Sequence, residues 1–495
     1  ATNDFECLNS SHDLQRLDLL ETKSLRVNAL WLGTASGRGR CRHAIRVMPQ
    51  MAVIAQRNRW FFQRHLISAS KWLPSGNRSP NCSTMRILHT SDWHLGQHFM
   101  GKSRQAEHQC LIDWLLLQVD AHAVDAVLIA GDIFDIGSPP SYARELYSQL
   151  VVRLHRAGVA LLLLGGNHDS VATLGESRVL LACLSTTVVA ALEGAADQVL
   201  VLPLLGGKGE AGCVVCAVPF VRPRDVSQSQ AGQSAEEKQQ SMQTAIAAYY
   251  QSVHDAGRAR QAALHHELGR IVPLIATGHL TTVGASSNES VREIYVGSLD
   301  AFPTAAFPPV DYVALGHIHK AQKVGGLDHI RYCGSPIALG FDEARQQKEV
   351  LLVDLGAGGL AAVTALPVPR FQPLVSVSGN LLELATAIQV AAAEGSADQP
   401  VWLEVTVAED DYLSDLPARI DAMTHGLPVE VLRVRRLRGT AAASLASELS
   451  ETLDELSPDD VFARRLAQEE LAPDLQLALH QRYRAVVASL VEGQA

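Results

Sequence analysis

Five short apolar runs, each closing on a knot of Asp, His, Asn and Gly, constrain this 495-residue chain more than anything else in it. They are RILHT (86–90), AVLIA (126–130), ALLLL (160–164), PLIAT (273–277) and YVAL (312–315). Between them, EHQCLIDWLLLQV and YARELYSQLVVRLHRAG carry helical spacing of apolar residues, the second stopped by Gly158. Short strands alternating with amphipathic helices predict a layered α/β domain over residues 85–370. In open α/β sheets ligands gather at the carboxyl edges of the strands. The polar knots SDWH (91–94), GD (131–132), GGNHD (165–169), GH (278–279) and GHIH (316–319) should therefore meet in space.

The residue types in those knots suit one task. Carboxylate, imidazole and amide oxygen ligands fit divalent ions of intermediate hardness such as Mn, Fe or Zn, and the absence of thiolate argues against a structural zinc site. Asp92, His94, Asp132, Asn167, His279, His317 and His319 are more ligands than one ion uses. Two ions sharing a carboxylate, roughly 3.5–4 Å apart, would account for them and would clamp the attacking and leaving oxygens of a phosphate ester. A Gly directly before most of the ligands lets the chain turn sharply off its strand. Outside the knots, whose five histidines include His168, the other fourteen of the nineteen, including His89, His98, His265 and His266, are read as solvated or locally hydrogen-bonded.

The ordered pattern D-x-H, GD-x-x-D, GNHD, GH, GH-x-H, each part after a strand, resembles the calcineurin-like metallophosphoesterase superfamily. The resemblance implies a four-layer β-sandwich flanked by helices. It also implies that Asp92, His94, Asp132 and His319 hold one metal and Asp132, Asn167, His279 and His317 the other, Asp132 bridging. Asp135 would stand behind the ligands. His168 would face substrate, with Asp169 fixing its tautomer, and the nucleophile would be water activated on a metal. As the bland alternative, Asp135 and Asp169 could each simply cap a turn.

Flanking stretches narrow the likeness. ILHTSDWHLGQ, AGDIFDIGSPPSYARELY, GNHDSVATLGESR, VALGHIHKAQ, RYCGSPIALGFDEARQQKEVLLVD and the final SPDDVFARRLAQEEL resemble the D subunits of bacterial SbcCD exonucleases. That family implies a Mn²⁺-dependent nuclease acting as a dimer on duplex ends and hairpins, by ATP-dependent 3′→5′ exonuclease and single-strand endonuclease action. Its partner is SbcC, a coiled-coil ATPase. Lys102 and Arg104 in MGKSRQ are the residues expected to touch DNA phosphates. A stand-alone metallophosphatase acting on nucleotides or phosphoproteins, or a non-catalytic scaffold, are the rival readings.

The remaining chain reads less sharply. A boundary is expected within 355–373, where Gly and then Pro accumulate. A small α+β module over 371–440 follows, with strands VWLEVTV (401–407) and PVEVLRV (428–434), and helices occupy 441–495, one starting at Ser457. By the resemblance the module caps DNA and the helices dock SbcC. Residues 222–240 are polar and read as a surface excursion. Residues 22–84 hold no Asp or Glu and many Arg, and the expectation is that residues 1–84 are an extension outside the working protein, which starts at Met85.

Charge and cysteines set outer limits. The net charge is −10, and because the first 84 residues hold 12 Lys and Arg against 5 Asp and Glu, the rest carries −17. Such a body binds nucleic acid only through bound metal, local basic residues or a partner. The eight cysteines lack the spacing of a disulfide framework, Cys213 and Cys216 sit in a β-like run with no second pair for zinc, and no stretch approaches the roughly 18 apolar residues of a membrane span. A cytoplasmic setting is the expectation.

Overall fold

The computed structural model describes residues 84–205, 209–226, 234–286, 301–408 and 415–436, together with 479, 482 and 483. The expected 1–84 extension, all of it but Thr84, and the expected C-terminal helices, including the start at Ser457, lie outside these residues. In chain order the elements open with β1 (Met85–Thr90), β2 (His98–Phe99), β3 (Lys102–Ser103), α1 (Gln105–Ala121), β4 (Ala126–Ile129), α2 (Ser141–Arg156) and β5 (Ala160–Leu164). They continue with α3 (Val171–Gly175), α4 (Arg178–Ala182), β6 (Thr186–Val189), β7 (Val199–Pro203), β8 (Ala211–Cys216), α5 (Pro223–Val226), α6 (Ala235–Leu268), β9 (Leu274–His279) and β10 (Tyr312–Gly316). Next come β11 (Gln322–Val324), β12 (Leu327–Tyr332), β13 (Glu349–Gly356), β14 (Gly359–Pro367), β15 (Leu374–Gly379), α7 (Leu381–Ala392), β16 (Val401–Val407), α8 (Leu416–Thr424) and β17 (Val429–Arg436).

Two six-stranded sheets, ordered β14-β13-β1-β4-β5-β6 and β11-β12-β10-β9-β8-β7, pack face to face. Ile87, Leu128 and Leu162 from the first meet Cys213, Val215, Ile275 and Ala314 from the second in one buried layer. On the far side of the second sheet, Met242, Ile246, Tyr250 and Val253 of α6 cover Val214, Cys216, Leu274 and Leu315. Outside the first sheet, α1 and α2 pack together and α2 lies on β5, burying Leu146, Leu150 and Leu154. Helix, sheet, sheet and helix are the four layers, and strands buried on both faces are why the central runs show no polar alternation.

The two cysteines of the C-x-x-C spacing separate across β8, Cys213 toward the inter-sheet layer and Cys216 toward α6. Successive strand residues alternate faces, so a three-residue offset cannot bring the thiols together. Parallel pairing of β1, β4, β5 and β6, and of β8, β9, β10 and β12, aligns the carboxyl ends of all five predicted runs at one edge.

Two expectations are refined. Within 355–373, residues 355–367 close a hairpin that returns β14 to the first sheet through the turn between Gly356 and Gly359, and the Pro-rich stretch before β15 leaves the domain. The polar stretch 222–240 is partly helical, because Ser234 and Glu237 form a reciprocal capping box that starts α6 inside it.

The small module runs β15-α7-β16-α8-β17, a three-stranded parallel sheet with both helices on the core containing Leu384, Ile388, Leu403, Val405 and Ile420. Its other face meets the larger α/β domain in a cluster of Phe99, Phe341, Ala344, Leu374 and Trp402, where the Phe99 and Trp402 rings stack with centroids 5.9 Å apart.

Candidate metal centre

The loop leaving β1 is fastened to the loop leaving β4. Asp92 N donates to Gly131 O at 3.0 Å, Trp93 N and His94 N both donate to Asp132 O, and Leu95 N donates to Ile133 O. Holding side chains inward from such tight loops forces Asp92, His94, Asp132 and His317 to positive φ of 54°, 47°, 50° and 93°. Non-glycine residues rarely adopt that region, and where they do the surrounding structure has to hold them there. Glycine is required beside them: a Cβ on Gly131 would sit 2.1 Å from the His279 ring, and one on Gly166 would sit 2.1 Å from the Asp132 carboxylate.

Three groups of potential ligand atoms, each within 4.8 Å of one another, result: Asp92, His94 and His319; Asp132, His279 and His317; and His94, Asp132 and His168. Asp132 Oδ2 lies 3.6 Å from His94 Nε2 and 3.4 Å from His279 Nε2, and Asn167 Oδ1 lies 2.9 Å from His279 Nε2. All seven expected ligands are thus brought together, with Asp132 central. The ring nitrogens His94 Nε2 and His317 Nε2 are buried with no hydrogen-bond partner, an expensive state unless a cation uses their lone pairs.

The opposite edges of three of the imidazoles are committed. His279 Nδ1 donates to Ala130 O at 2.8 Å, His94 Nδ1 to Asp135 Oδ1 at 3.2 Å, and His319 Nδ1 to Glu343 Oε1 at 2.9 Å. Each bond points the Nε2 lone pair of the neutral ring into the cluster and raises its basicity. Asp135 therefore sits where the sequence suggested. Glu343 was missed: it follows His319 by 24 residues at no ligand spacing, inside the FDEARQQKEV stretch. It is fixed in turn by Lys348 Nζ at 2.6 Å and Ser335 Oγ at 3.1 Å. Glu343→Gln is expected to weaken divalent-ion binding about 10- to 100-fold. Chelator competition would read it, and unchanged affinity would reduce Glu343 to a packing role.

Electrostatics agree with a cation site. Burial opposes ionisation of Asp132, yet the charge and hydrogen bond of His279, with His94 and His168, hold its carboxyl well below the usual range. Burial likewise lowers His279, but Asp132 outweighs it and lifts the ring to about 9. Ligation requires neutral imidazole, so His279 would give up that proton on holding an ion, whose charge would take the proton's place beside Asp132.

His168 borders the cluster, its ring 4.6 Å from that of His94. Its Nδ1 donates to Asp135 O at 2.7 Å, and its backbone N donates to Asp132 Oδ1 at 2.9 Å. The expected Asp169 bond to the ring is corrected: the Asp169 carboxylate accepts from Gly166 N, Ile133 N and Phe134 N, tying the GNHD loop to the β4 loop. Its proximity to the amides is local, whereas the ring points away toward Asp135.

Of the two expected DNA contacts, Arg104 is corrected. Arg104 is buried, bonded to Glu107 Oε2 at 2.8 Å, Gln97 Oε1 at 2.9 Å and Ala338 O at 2.6 Å. A guanidinium so enclosed cannot reach a phosphate. Lys102 is half-exposed and paired with Glu430 of the small module.

Fold and site together define a metal-dependent hydrolase of the calcineurin-like phosphoesterase class, whose family profile matches residues 85–321. A second profile, described as type 5 capsule protein repressor C-terminal domain, matches residues 370–470. The chain is 51% identical over 407 residues to the SbcD component of the SbcCD nuclease of Escherichia coli K12, covering 82% of this chain and 98% of that one. The protein of the same name from Rhodobacter capsulatus is 32% identical, covering 77% and 94%, and that from Bacillus subtilis 29%, covering 67% and 81%. The chain belongs to the SbcD family of nuclease subunits.

Proposed function

We propose that this chain is the nuclease subunit of an SbcCD-type repair complex and hydrolyses DNA phosphodiesters at a pair of divalent ions, Mn²⁺ by family resemblance. The observation that carries the reading is Asp132 Oδ2 lying 3.6 Å from His94 Nε2, of the group with Asp92 and His319, and 3.4 Å from His279 Nε2, of the group with His317, the position a bridging carboxylate requires. Asp92, His94, Asp132 and His319 would hold one ion and Asp132, Asn167, His279 and His317 the other. Bound there, the ions supply Lewis-acid charge and lower the pKa of water. His168, oriented through Nδ1 by the Asp135 carbonyl, presents Nε2 to hold or pass a proton at the leaving oxygen.

The rest of the assembly follows the same reading. Residues 85–370 are the nuclease domain, 371–440 cap DNA, and 441–495 dock the SbcC ATPase. Val179 and Leu180 stand side by side on α4 at 84% and 64% exposure, an apolar face that supports a homodimer. Among the described residues no helix is long and apolar enough to cross a membrane.

The test is cleavage of labelled hairpin DNA with Mn²⁺, with and without SbcC and ATP. Cleavage that needs Mn²⁺ and is enhanced by the partner is expected. A chain that cuts no DNA in any combination, or turns over only phosphomonoesters, is not a nuclease subunit.

A further inference from the structure

The segment after β8 runs along the GNHD loop, with Phe220 N donating to Gly165 O at 2.8 Å. Its Phe220 ring meets the His279 ring edge-on, centroids 6.3 Å apart. The next cation, Arg222, lies with its guanidinium carbon 5.6 Å from the Phe220 ring centre and donates from Nη2 to Asp169 O at 3.3 Å. Arg222 thus stands one side chain from a proposed metal ligand and one residue from His168.

Among the described residues its charge is not neutralised. Arg222 pairs with no carboxylate among the described residues, and its Nη1 is buried without a hydrogen-bond partner among them. Three other cations of the same domain differ: Lys102 is paired with Glu430, Arg104 with Glu107 and Lys348 with Glu343. The nearby Asp169 carboxylate is already spent on three amides. A desolvated guanidinium N–H without an acceptor costs more than a neutral donor left in the same state. A phosphate oxygen would remove that cost, and the planar fork of Arg matches the spacing of two phosphate oxygens.

We propose that Arg222 binds a backbone phosphate of the DNA strand at the metal centre, a substrate-binding residue beyond the ligand set and His168. The proposal rests on the nuclease reading for the identity of the strand, but not for the anion site. In a chain whose body carries so much negative charge, a guanidinium near the ligand cluster supplies local attraction that the buried Arg104 cannot.

The experiment loads the full chain with Mn²⁺ and titrates inorganic phosphate by calorimetry, comparing wild type, Arg222→Gln and Arg222→Lys. Gln retains a donor for Asp169 O but no charge. Phosphate affinity is expected to fall about ten- to a hundred-fold in Arg222→Gln and to recover in part in Arg222→Lys. Metal content and melting temperature should stay at wild-type values, and KM for bis(p-nitrophenyl) phosphate should rise in parallel. Unchanged phosphate affinity in Arg222→Gln overturns the proposal. So does a Gln variant that sheds its ions or melts early, since Arg222 would then be a brace for the GNHD loop. Because phosphate binding needs no turnover, a wild-type chain that fails to cut DNA yet loses phosphate on Arg222→Gln leaves the anion site standing and removes only the nuclease reading.

Discussion

Asp132→Asn abolishes DNA hydrolysis and strips both ions, while His168→Ala loses roughly 10²–10⁴-fold in rate and keeps them: this is the expected pair of results. The contrast follows from position. Asp132 belongs to two of the three ligand groups, its Oδ2 lying between His94 and His279, so an uncharged amide there weakens both sites at once. The same carboxylate accepts the backbone N–H of His168, so the GNHD loop loosens as well. His168 instead reaches the cluster from its rim, held by the Asp135 carbonyl. Removing its ring takes away a proton carrier and leaves the expected ligands of both ions in place. Metal content by mass spectrometry on the gel-filtered variants, alongside hairpin cleavage, checks both. An Asp132→Asn chain that retains two tightly bound ions would refute the bridging role.

Arg104→Met should cost about 3–5 kcal/mol of stability, because it leaves Glu107 buried without its cation and Ala338 O without a donor. Burial already pushes the Glu107 carboxyl above its usual range, with Arg104 pulling the other way. Without Arg104 the acid takes up a proton or drags water into the core of the seam. Adding Glu107→Leu should return part of the loss, since replacing both partners removes the stranded charge. Urea unfolding of the single and double variants reads the difference. If both unfold at the same midpoint, the pair contributes no more than its packing.

The central strands and the ligands were legible because the two signals coincide. A parallel strand buried on both faces reads as an unbroken apolar run, and the loop after it must turn at once, so Gly, Asp and His follow without a gap. Composition could not separate the two uses of glycine and proline around 355–373: Gly356 and Gly359 turn a hairpin, whereas the prolines leave the domain. β15, LVSVSG, carries too little apolar weight to stand out as a strand, yet Leu374 and Val377 are buried by partners distant in sequence. Arg104 looked like an exposed base in a loop because its local partners, Gln97 and Glu107, do not by themselves signal burial. Its carbonyl partner Ala338 lies 234 residues further on. Glu343 was hidden for the same reason, since its role depends on where the β10 loop places His319.

The backbone amides of residues 92–95 are spent on the β4 loop, so the metal loops continue the pairing of β1 with β4 beyond the end of the sheet. Scaffold and reaction centre are therefore written into one ladder. A substitution at Asp92 or His94, both held at positive φ, is thus expected to change stability and activity together rather than activity alone.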